Sequence, residues 1–568
     1  MQNHEIAKVL DEIADLLEIS GENFFRVRAY RNAARTINDH PVQMSELDVD
    51  ELQEIPGIGA DLAQKIQTCV ATGDIPLHRE LVSKVPPGLL DLTRIPGLGP
   101  KRIKALWEEA RVTNRDELKR AAASGALRTI PGFGAKLESQ IVESLERLEK
   151  EQPNRLLFHD AARIADALIA HLKQCAAVKK LDVAGSFRRR RETVGDLDLL
   201  VASTHPEPVM KHFLDYPRVA EKLGAGATKA SVVLKDGLQI DLRVVEPQSY
   251  GAALLYFTGS KAHGVHLRKI AQSRKLLLNE YGLLRGGKPV AGKTEEEVYK
   301  ALGLVWIPPE LREDRGEIEA AAEGRLPKLI SRDDLRGDLH THSTWTDGRA
   351  SIQDMAKSAH EHGLEYFAVT DHSQRLKMAH GLDPKRLREQ WKEIDKVDAK
   401  LRGITLLRGI EVDILEDGAL DLPDDVLGEL DWVVASVHSK IDQDQKTMTR
   451  RLLKAIRNPN VNVIGHPSNR LIGRRPPSDF DLAQVLRVAR EEGCALEVNS
   501  QPERLDLVDS ACIAAKEAGV RLVISSDAHH PHDFDGLDYG VNQARRGWVE
   551  RDDVLNTRPL AEFRKSLR

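Results

Sequence analysis

Asp196 and Asp198 flank a single leucine near the end of Gly185–Val201, a run that opens on Gly185-Ser186, crosses four consecutive arginines and reaches Gly195 just before the first carboxylate. On a strand, side chains alternate faces, so both carboxylates share one face while Leu197 and Leu199 point into the core. Carboxylates side by side repel unless a divalent cation lies between them, and Mg²⁺ favours oxygen ligands shared with substrate phosphates. In Leu238–Val244, Asp241 shares a face with Gln239 and Arg243, opposite Ile240 and Leu242. The three aspartates could converge on neighbouring strands. Two would hold the cation of an incoming triphosphate, and all three a second cation that lowers the pKa of an attacking hydroxyl. Ser186 and Arg189 are candidate donors to triphosphate oxygens.

A second constellation lies beyond residue 336, where 11 of the 20 histidines fall. Asp338-Leu-His340-Thr-His342 is followed by Asp347, Asp371-His372, Glu411, His438, Gly465-His466 and Asp527-Ala-His529. Most follow an apolar run and so stand at the C-terminal ends of successive strands, which on a barrel converge on one mouth. Imidazoles mixed with carboxylates suit Zn²⁺, Mn²⁺ or Fe²⁺. Their number exceeds what one ion needs and predicts a cluster of two or three.

The elements that position these groups follow from periodicity. Ile6, Val9, Leu10, Ile13 and Leu17 recur at helical spacing, and most of 1–150 continues as short helices. Ile55-Pro-Gly57-Ile-Gly59, Ile95-Pro-Gly97-Leu-Gly99 and Ile130-Pro-Gly132-Phe-Gly134 punctuate that region. Each precedes a helical stretch, and glycines there allow a tight hairpin whose amides form a phosphate-binding concavity. Strands are predicted at 181–184, 196–202, 230–234 and 238–245. Further strands at 366–369, 406–412, 432–437, 461–464, 495–498 and 522–524 alternate with amphipathic helices, the rhythm of a parallel barrel. The charged, alanine-rich stretch 310–334 reads as a linker.

At 568 residues the chain should hold three or more domains. Its net charge of −5 leaves DNA contact to local clusters and backbone amides. Four cysteines without CxxC spacing fit a reducing cytoplasm, and no run approaches a membrane span.

The run Gly185-Ser186, Gly195-Asp196-Leu-Asp198 and Ile240-Asp241, with Tyr256-Phe257-Thr-Gly259-Ser260, resembles the palm and nucleotide-binding segment of family X DNA polymerases. The resemblance covers 1–306 and the three hairpins resemble helix-hairpin-helix elements. It implies template-directed addition of deoxynucleotides to a primer 3′-hydroxyl, with Tyr256 and Phe257 bordering sugar and base and Arg268 on the template side. Two positions depart from the eukaryotic pattern of that family: Gln239 stands for an arginine and Gly264 for an asparagine. Lys65 falls where the family carries a Schiff-base lysine for 5′-deoxyribose-phosphate removal. A plain phosphate contact is the alternative, and Asp61 replaces a basic residue there.

The region from 335 onward resembles the PHP (polymerase and histidinol phosphatase) family. That resemblance implies a distorted seven-stranded barrel, metal-assisted phosphoester hydrolysis and nine ligands: His340, His342, Asp347, His372, Glu411, His438, His466, Asp527 and His529. Asn499 and the Gly473–Arg475 turn are candidate substrate contacts. A multidomain enzyme is expected: helical helix-hairpin-helix domain at 1–82, DNA-binding subdomain at 83–152, α+β nucleotidyltransferase palm at 153–246, thumb-like nucleotide-binding subdomain at 247–312, linker at 313–334 and (β/α)7 PHP barrel at 335–568. The expected activity is that of a monomeric repair polymerase that fills gaps in primer-template DNA and trims 3′ termini. The alternative is chiefly a 3′-end-processing phosphoesterase with a weak palm.

Overall fold

The computed structural model of the chain describes residues 3–38, 44, 47–55, 57–72, 74–86, 88–92, 95, 98–123, 125–130, 133–134, 137–138, 141 and 155–567. It divides into two compact units, Met1–Pro153 and Asn154–Arg568. No helix among the described residues is long and apolar enough to cross a membrane.

The first unit is helical where described. Helix Asn3–Ser20 buries Ile6, Leu10, Ile13 and Leu17 against its neighbours. The three hairpins share one turn: the amides of Ile58, Leu98 and Phe133 donate to the carbonyls of Ile55, Ile95 and Ile130, each at 3.0 Å. These six apolar side chains are buried, so the core fixes every hairpin from within. Gly59 and Gly99 then lead into helices Ala60–Thr72 and Pro100–Ala110. A methyl group added at Gly57, Gly59, Gly99 or Gly134 would meet nothing within 4 Å, leaving the backbone there open to a ligand. Gly97 and Gly132 lie outside the described residues.

In the second unit, β1 (Lys180–Val183), β2 (Asp196–Ala202), β3 (Val219–Ala225), β4 (Lys229–Leu234) and β5 (Gln239–Val245) form a sheet of order β1-β2-β5-β4-β3. Only β2 and β5 run parallel, with Asp198 directly opposite Asp241. Strict alternation along β5 buries Ile240, Leu242 and Val244 and leaves the polar face free. Helices Tyr250–Thr258 and Lys261–Ser273, a small sheet of β6 (Leu277–Asn279), β7 (Gly282–Arg285) and β8 (Lys288–Ala291), and helix Glu295–Ala301 follow.

The remaining sheet holds seven parallel strands in sequential order: β9 (Gly337–Asp338), β10 (Tyr366–Val369), β11 (Thr405–Asp413), β12 (Trp432–Ser436), β13 (Val463–Ile464), β14 (Ala495–Asn499) and β15 (Leu522–Ser525). A parallel bridge between Thr341 and Ala528 nearly closes it into a barrel. Phe367, Val433, Leu496 and Ile524 face the surrounding helices, while Tyr366, Trp432, Val463 and Val523 form a separate cluster with Phe563. Phe563, from the C-terminal helix Leu560–Lys565, is fully buried and stacks on Tyr366 at 5.2 Å between ring centroids. One end of the barrel is thus filled with aromatic rings and the metal-ligating residue types collect at the other.

The stretch 313–334, expected as a linker, is packed instead. Ile318 and Ala321 belong to the same core as Leu267 and Tyr299, and Ile330 belongs to the barrel core. The sequence obscured this because the segment's charges are consumed internally. Glu313 accepts from Arg189 Nε at 3.1 Å and from Arg546 Nη1 at 3.0 Å, and Glu317 lies 2.6 Å from His263. Arg546, on helix Leu537–Arg546 of the barrel, also donates to the Arg189 carbonyl at 2.7 Å and to Asp509 at 2.6 Å. Glu192 and Arg470 pair at 2.7 Å across the same junction, so the aspartate-bearing sheet and the barrel are joined by ion pairs as well as apolar contact.

Candidate metal centres and nucleotide site

The register of β2 and β5 brings carboxylate oxygens of Asp196, Asp198 and Asp241 within 4.8 Å of one another. Burial, then the neighbouring Asp196 and Asp241, pushes the Asp198 carboxyl up to about 7, and burial with Asp241 raises Asp196 as well. Crowded anions of this kind are relieved by a divalent cation, so the triad fits Mg²⁺ or Mn²⁺. Asp241 is already oriented: Ser231 Oγ donates to one oxygen and Gln239 Nε2 to the other at 3.0 Å. Gln239, one of the two departures noted in the sequence, therefore holds the Asp241 carboxylate directly. Gly185, at φ +61°, passes so close that a methyl group there would lie 2.3 Å from Asp198 Oδ2. Only glycine leaves room for that carboxylate. Gly195 lies beside the Arg155 guanidinium, 3.1 Å from the position of an added methyl.

Ser186 occupies the first turn of helix Gly185–Arg188. Arg189, expected to meet triphosphate oxygens, is instead held by Glu313 and by the Thr258 carbonyl. Its position supports the Thr258–Ser260 turn; the sequence could not reveal a partner 124 residues away. Ser260 caps helix Lys261–Ser273 by accepting from the His263 amide at 3.3 Å, and its own amide donates to the Arg312 carbonyl. Tyr256 is half exposed and meets Phe257 edge-on at 5.1 Å, while the Arg243 guanidinium lies over the Phe257 ring. Gly264 and Arg268 lie one helical turn apart. Beneath them, the missed residue Glu295 accepts from Arg188 at 2.7 and 2.8 Å, from Arg312 at 2.6 and 3.1 Å and from Trp306 at 3.0 Å. Burial opposes its charge, but the two guanidinium groups hold its carboxyl far below the usual range.

Lys65 donates to Asp61 at 2.6 Å and to the Tyr30 hydroxyl at 2.9 Å. Burial alone would lower its pKa, yet these partners raise it. A Schiff-base nucleophile needs the opposite shift.

All nine candidate ligands gather at the barrel mouth. Four overlapping groups lie within coordinating reach: His342, Asp347, His372 and His529; His340, His466 and Asp527; His340, His342 and Glu411; His372, Glu411 and His438. Glu411 joins two of them, with His466 Nε2 at 3.0 Å and His438 Nε2 at 3.2 Å from its Oε1. His466 (φ +27°) and Asp527 (φ +53°) take left-handed backbone, uncommon outside glycine and held where surroundings demand it. His340 Nε2 and both ring nitrogens of His342 are sealed from solvent without a hydrogen-bond partner among the described residues. Burial, then His529 and His372, pushes the His342 imidazole down to about 3 and keeps it neutral, the form that ligates a cation. The donor set fits a cluster of two or three Zn²⁺, Mn²⁺ or Fe²⁺ ions.

Sequence reasoning missed the residues that orient these ligands. Glu497 Oε1 lies 2.7 Å from His340 Nδ1 and its Oε2 accepts from the His466 amide; Asp413 lies 3.1 Å from His438 Nδ1. Such contacts fix the tautomer of a ligating imidazole. Both carboxylates sit on strands beside ligands, the one signal that could have found them. Asn499, expected to touch substrate, is buried and donates to Asp527 at 3.0 Å, so it positions a ligand instead. In the Gly473–Arg475 turn, Arg474 pairs with Glu503 at 3.1 Å and Arg475 donates to the Asn469 carbonyl at 2.8 Å.

Four family models match the chain: Helix-hairpin-helix domain over residues 1–75, SAM-like Helix-hairpin-helix tandem over 89–147, DNA polymerase beta thumb over 253–313 and PHP domain over 338–501. Across 39% of its length it is 32% identical to a probable phosphatase of Thermoanaerobacter sp. (strain X514), covering 89% of that protein. It is 33% identical to a probable phosphatase of Vibrio campbellii (strain ATCC BAA-1116), with 39% of this chain and 88% of that one aligned. Over 572 residues, 100% of both chains, it is 39% identical to the DNA polymerase/3′-5′ exonuclease PolX of Bacillus subtilis (strain 168). Similarity of that degree along the whole of both chains extends from the hairpins to the barrel, and the chain belongs to the family X DNA polymerases that carry a PHP domain.

Proposed function

We propose that this enzyme fills short gaps in damaged DNA by extending a primer 3′-hydroxyl at Asp196, Asp198 and Asp241, and trims 3′ termini at the barrel mouth. The observation that carries the reading is the pairing of Asp198 with Asp241 on parallel strands, three carboxylates on one polar face. Cations bound there would lower the pKa of the primer hydroxyl and neutralise charge on the triphosphate. The chain's own contribution is orientation. Gln239 and Ser231 fix Asp241, Gly185 makes room for Asp198, and Tyr256 and Phe257 border the sugar and base. The three hairpins supply backbone amides for DNA phosphates without reading sequence. At the mouth, Glu497, Asp413 and Asn499 hold His340, His438 and Asp527 in place for hydrolysis of a terminal phosphodiester.

The test is one labelled primer on gapped DNA with Mg²⁺ or Mn²⁺, with and without deoxynucleotides. Asp196→Ala with Asp198→Ala is expected to abolish extension and spare shortening; His340→Ala with His342→Ala, the reverse. Extension by the first variant overturns the palm assignment, and undiminished shortening by the second overturns the barrel assignment. Wild-type protein that only shortens primers identifies a 3′-end-processing phosphoesterase instead.

A further inference from the structure

Helix Gln445–Ile456 begins one loop after the candidate ligand His438 and returns along the outside of the barrel. A helix that follows a strand of a parallel barrel runs antiparallel to it, so its first turn stands at the mouth. Met448, Leu452 and Ala455 are buried in the barrel core. The opposite face carries Lys446, Arg450 and, at the C-cap, Arg457, all exposed. Positions i, i+4 and i+11 fall on one stripe of a helix, here about 16 Å long. With Leu453 between them they line a groove of about 400 Å³ whose other wall includes Gln484, on helix Leu482–Glu492.

None of these three cations forms an ion pair among the described residues. Elsewhere on the outer helices Lys454 pairs with Asp417 at 2.9 Å, Arg487 with Glu491 at 2.9 Å and Arg388 with Glu429 at 2.6 Å. Asp481, the carboxylate that lines the groove, is spent as a helix cap, accepting from the Gln484 amide at 3.0 Å. Like charges one helical turn apart repel, and a polyanion whose charges recur along its length relieves that repulsion. The stripe is also held in register with the ligand cluster. Arg451, buried beside Arg450, donates to the Ser439 carbonyl at 2.9 Å, to the Lys440 carbonyl at 3.3 Å and to the Ile414 carbonyl. It thereby ties the loop after His438 to the helix. Thr449 accepts from the Asp481 amide at 2.8 Å and fixes the far wall of the groove.

We propose that this helix carries the backbone of the DNA strand whose 3′ end is trimmed, with Lys446, Arg450 and Arg457 pairing with phosphates upstream of that end. This rests on the reading of the barrel mouth as a phosphodiester-hydrolysing centre. Such contacts are electrostatic and blind to sequence. They raise affinity for a strand entering the mouth without touching the phosphodiester that breaks.

The test uses full-length protein, a 5′-labelled single-stranded oligonucleotide and Mn²⁺. Lys446→Gln with Arg450→Gln and Arg457→Gln is expected to raise KM for shortening at least about tenfold at low salt while kcat is kept. The slope of log KM against log salt concentration should fall by about 2, three contacts at about 0.7 each for a single strand. Lys446→Arg with Arg450→Lys and Arg457→Lys keeps the charges and should behave as wild type. Lys454→Gln removes a cation already paired on the same helix and should change KM less than about twofold. Unchanged KM and slope in the neutral triple variant overturn the proposal. So does an equal loss in the charge-conserving variant or in Lys454→Gln. Wild type that shortens no oligonucleotide refutes the barrel reading itself, a separate outcome visible before any variant is compared.

Discussion

Glu295 braces the candidate nucleotide site from within. It joins Arg188, from the turn before the aspartates, to Arg312, at the end of the thumb, and all of these contacts are buried or nearly so. Removing one member of a buried network leaves the others charged and unpaired, so Glu295→Gln should destabilise the second unit by about 3–5 kcal/mol in urea unfolding. The pH sign follows from its depressed carboxyl. The stabilisation is fully present above the unfolded value of 4.5 and is lost as pH falls toward the folded one. Wild type should therefore weaken below about pH 4.5 more steeply than the variant. Gly185→Ala tests a different constraint, the 2.3 Å approach to Asp198. Moving that carboxylate should cut extension about 10²-fold while 3′-end shortening persists, as read on the gapped primer.

At the level of elements, two strands explain why so much of the catalytic face was legible. Alternation in Asp196–Asp198 and Gln239–Arg243 is visible in the sequence, and the parallel register then needs only β2 and β5 to be neighbours. Most of the nine candidate barrel ligands were equally visible because a strand end announces itself by the apolar run before it. The supports were hidden. Glu497 looks like an ordinary strand carboxylate until the fold sets it against His340, and Glu313 like one more charge in a charged stretch. Lys65 shows the converse: motif position suggested a nucleophile, while the helical spacing to Asp61 made an ion pair. Because Glu497 orients two candidate ligands from one strand, Glu497→Gln should lower metal affinity of the barrel about 10–100-fold, measured by competition with a chelator.

On the scale of the whole molecule, the division at Pro153 separates a DNA-gripping unit from one that holds both candidate centres. A fragment of residues 154–568 has its own cores and should fold alone, giving one calorimetric transition found also in the full chain. It should bind gapped DNA more weakly, and its affinity should fall less steeply with salt, because hairpin contacts to phosphate are gone. The palm and the barrel permit no such cut. Glu313 is shared between Arg189, beside the nucleotide segment, and Arg546, deep in the barrel's last long helix. Without the barrel, Glu313 would keep Arg189 but lose Arg546, and the Arg189 carbonyl would lose its donor. A change in the barrel's last long helix would therefore be felt at Arg189, in the turn that leads to Asp196 and Asp198.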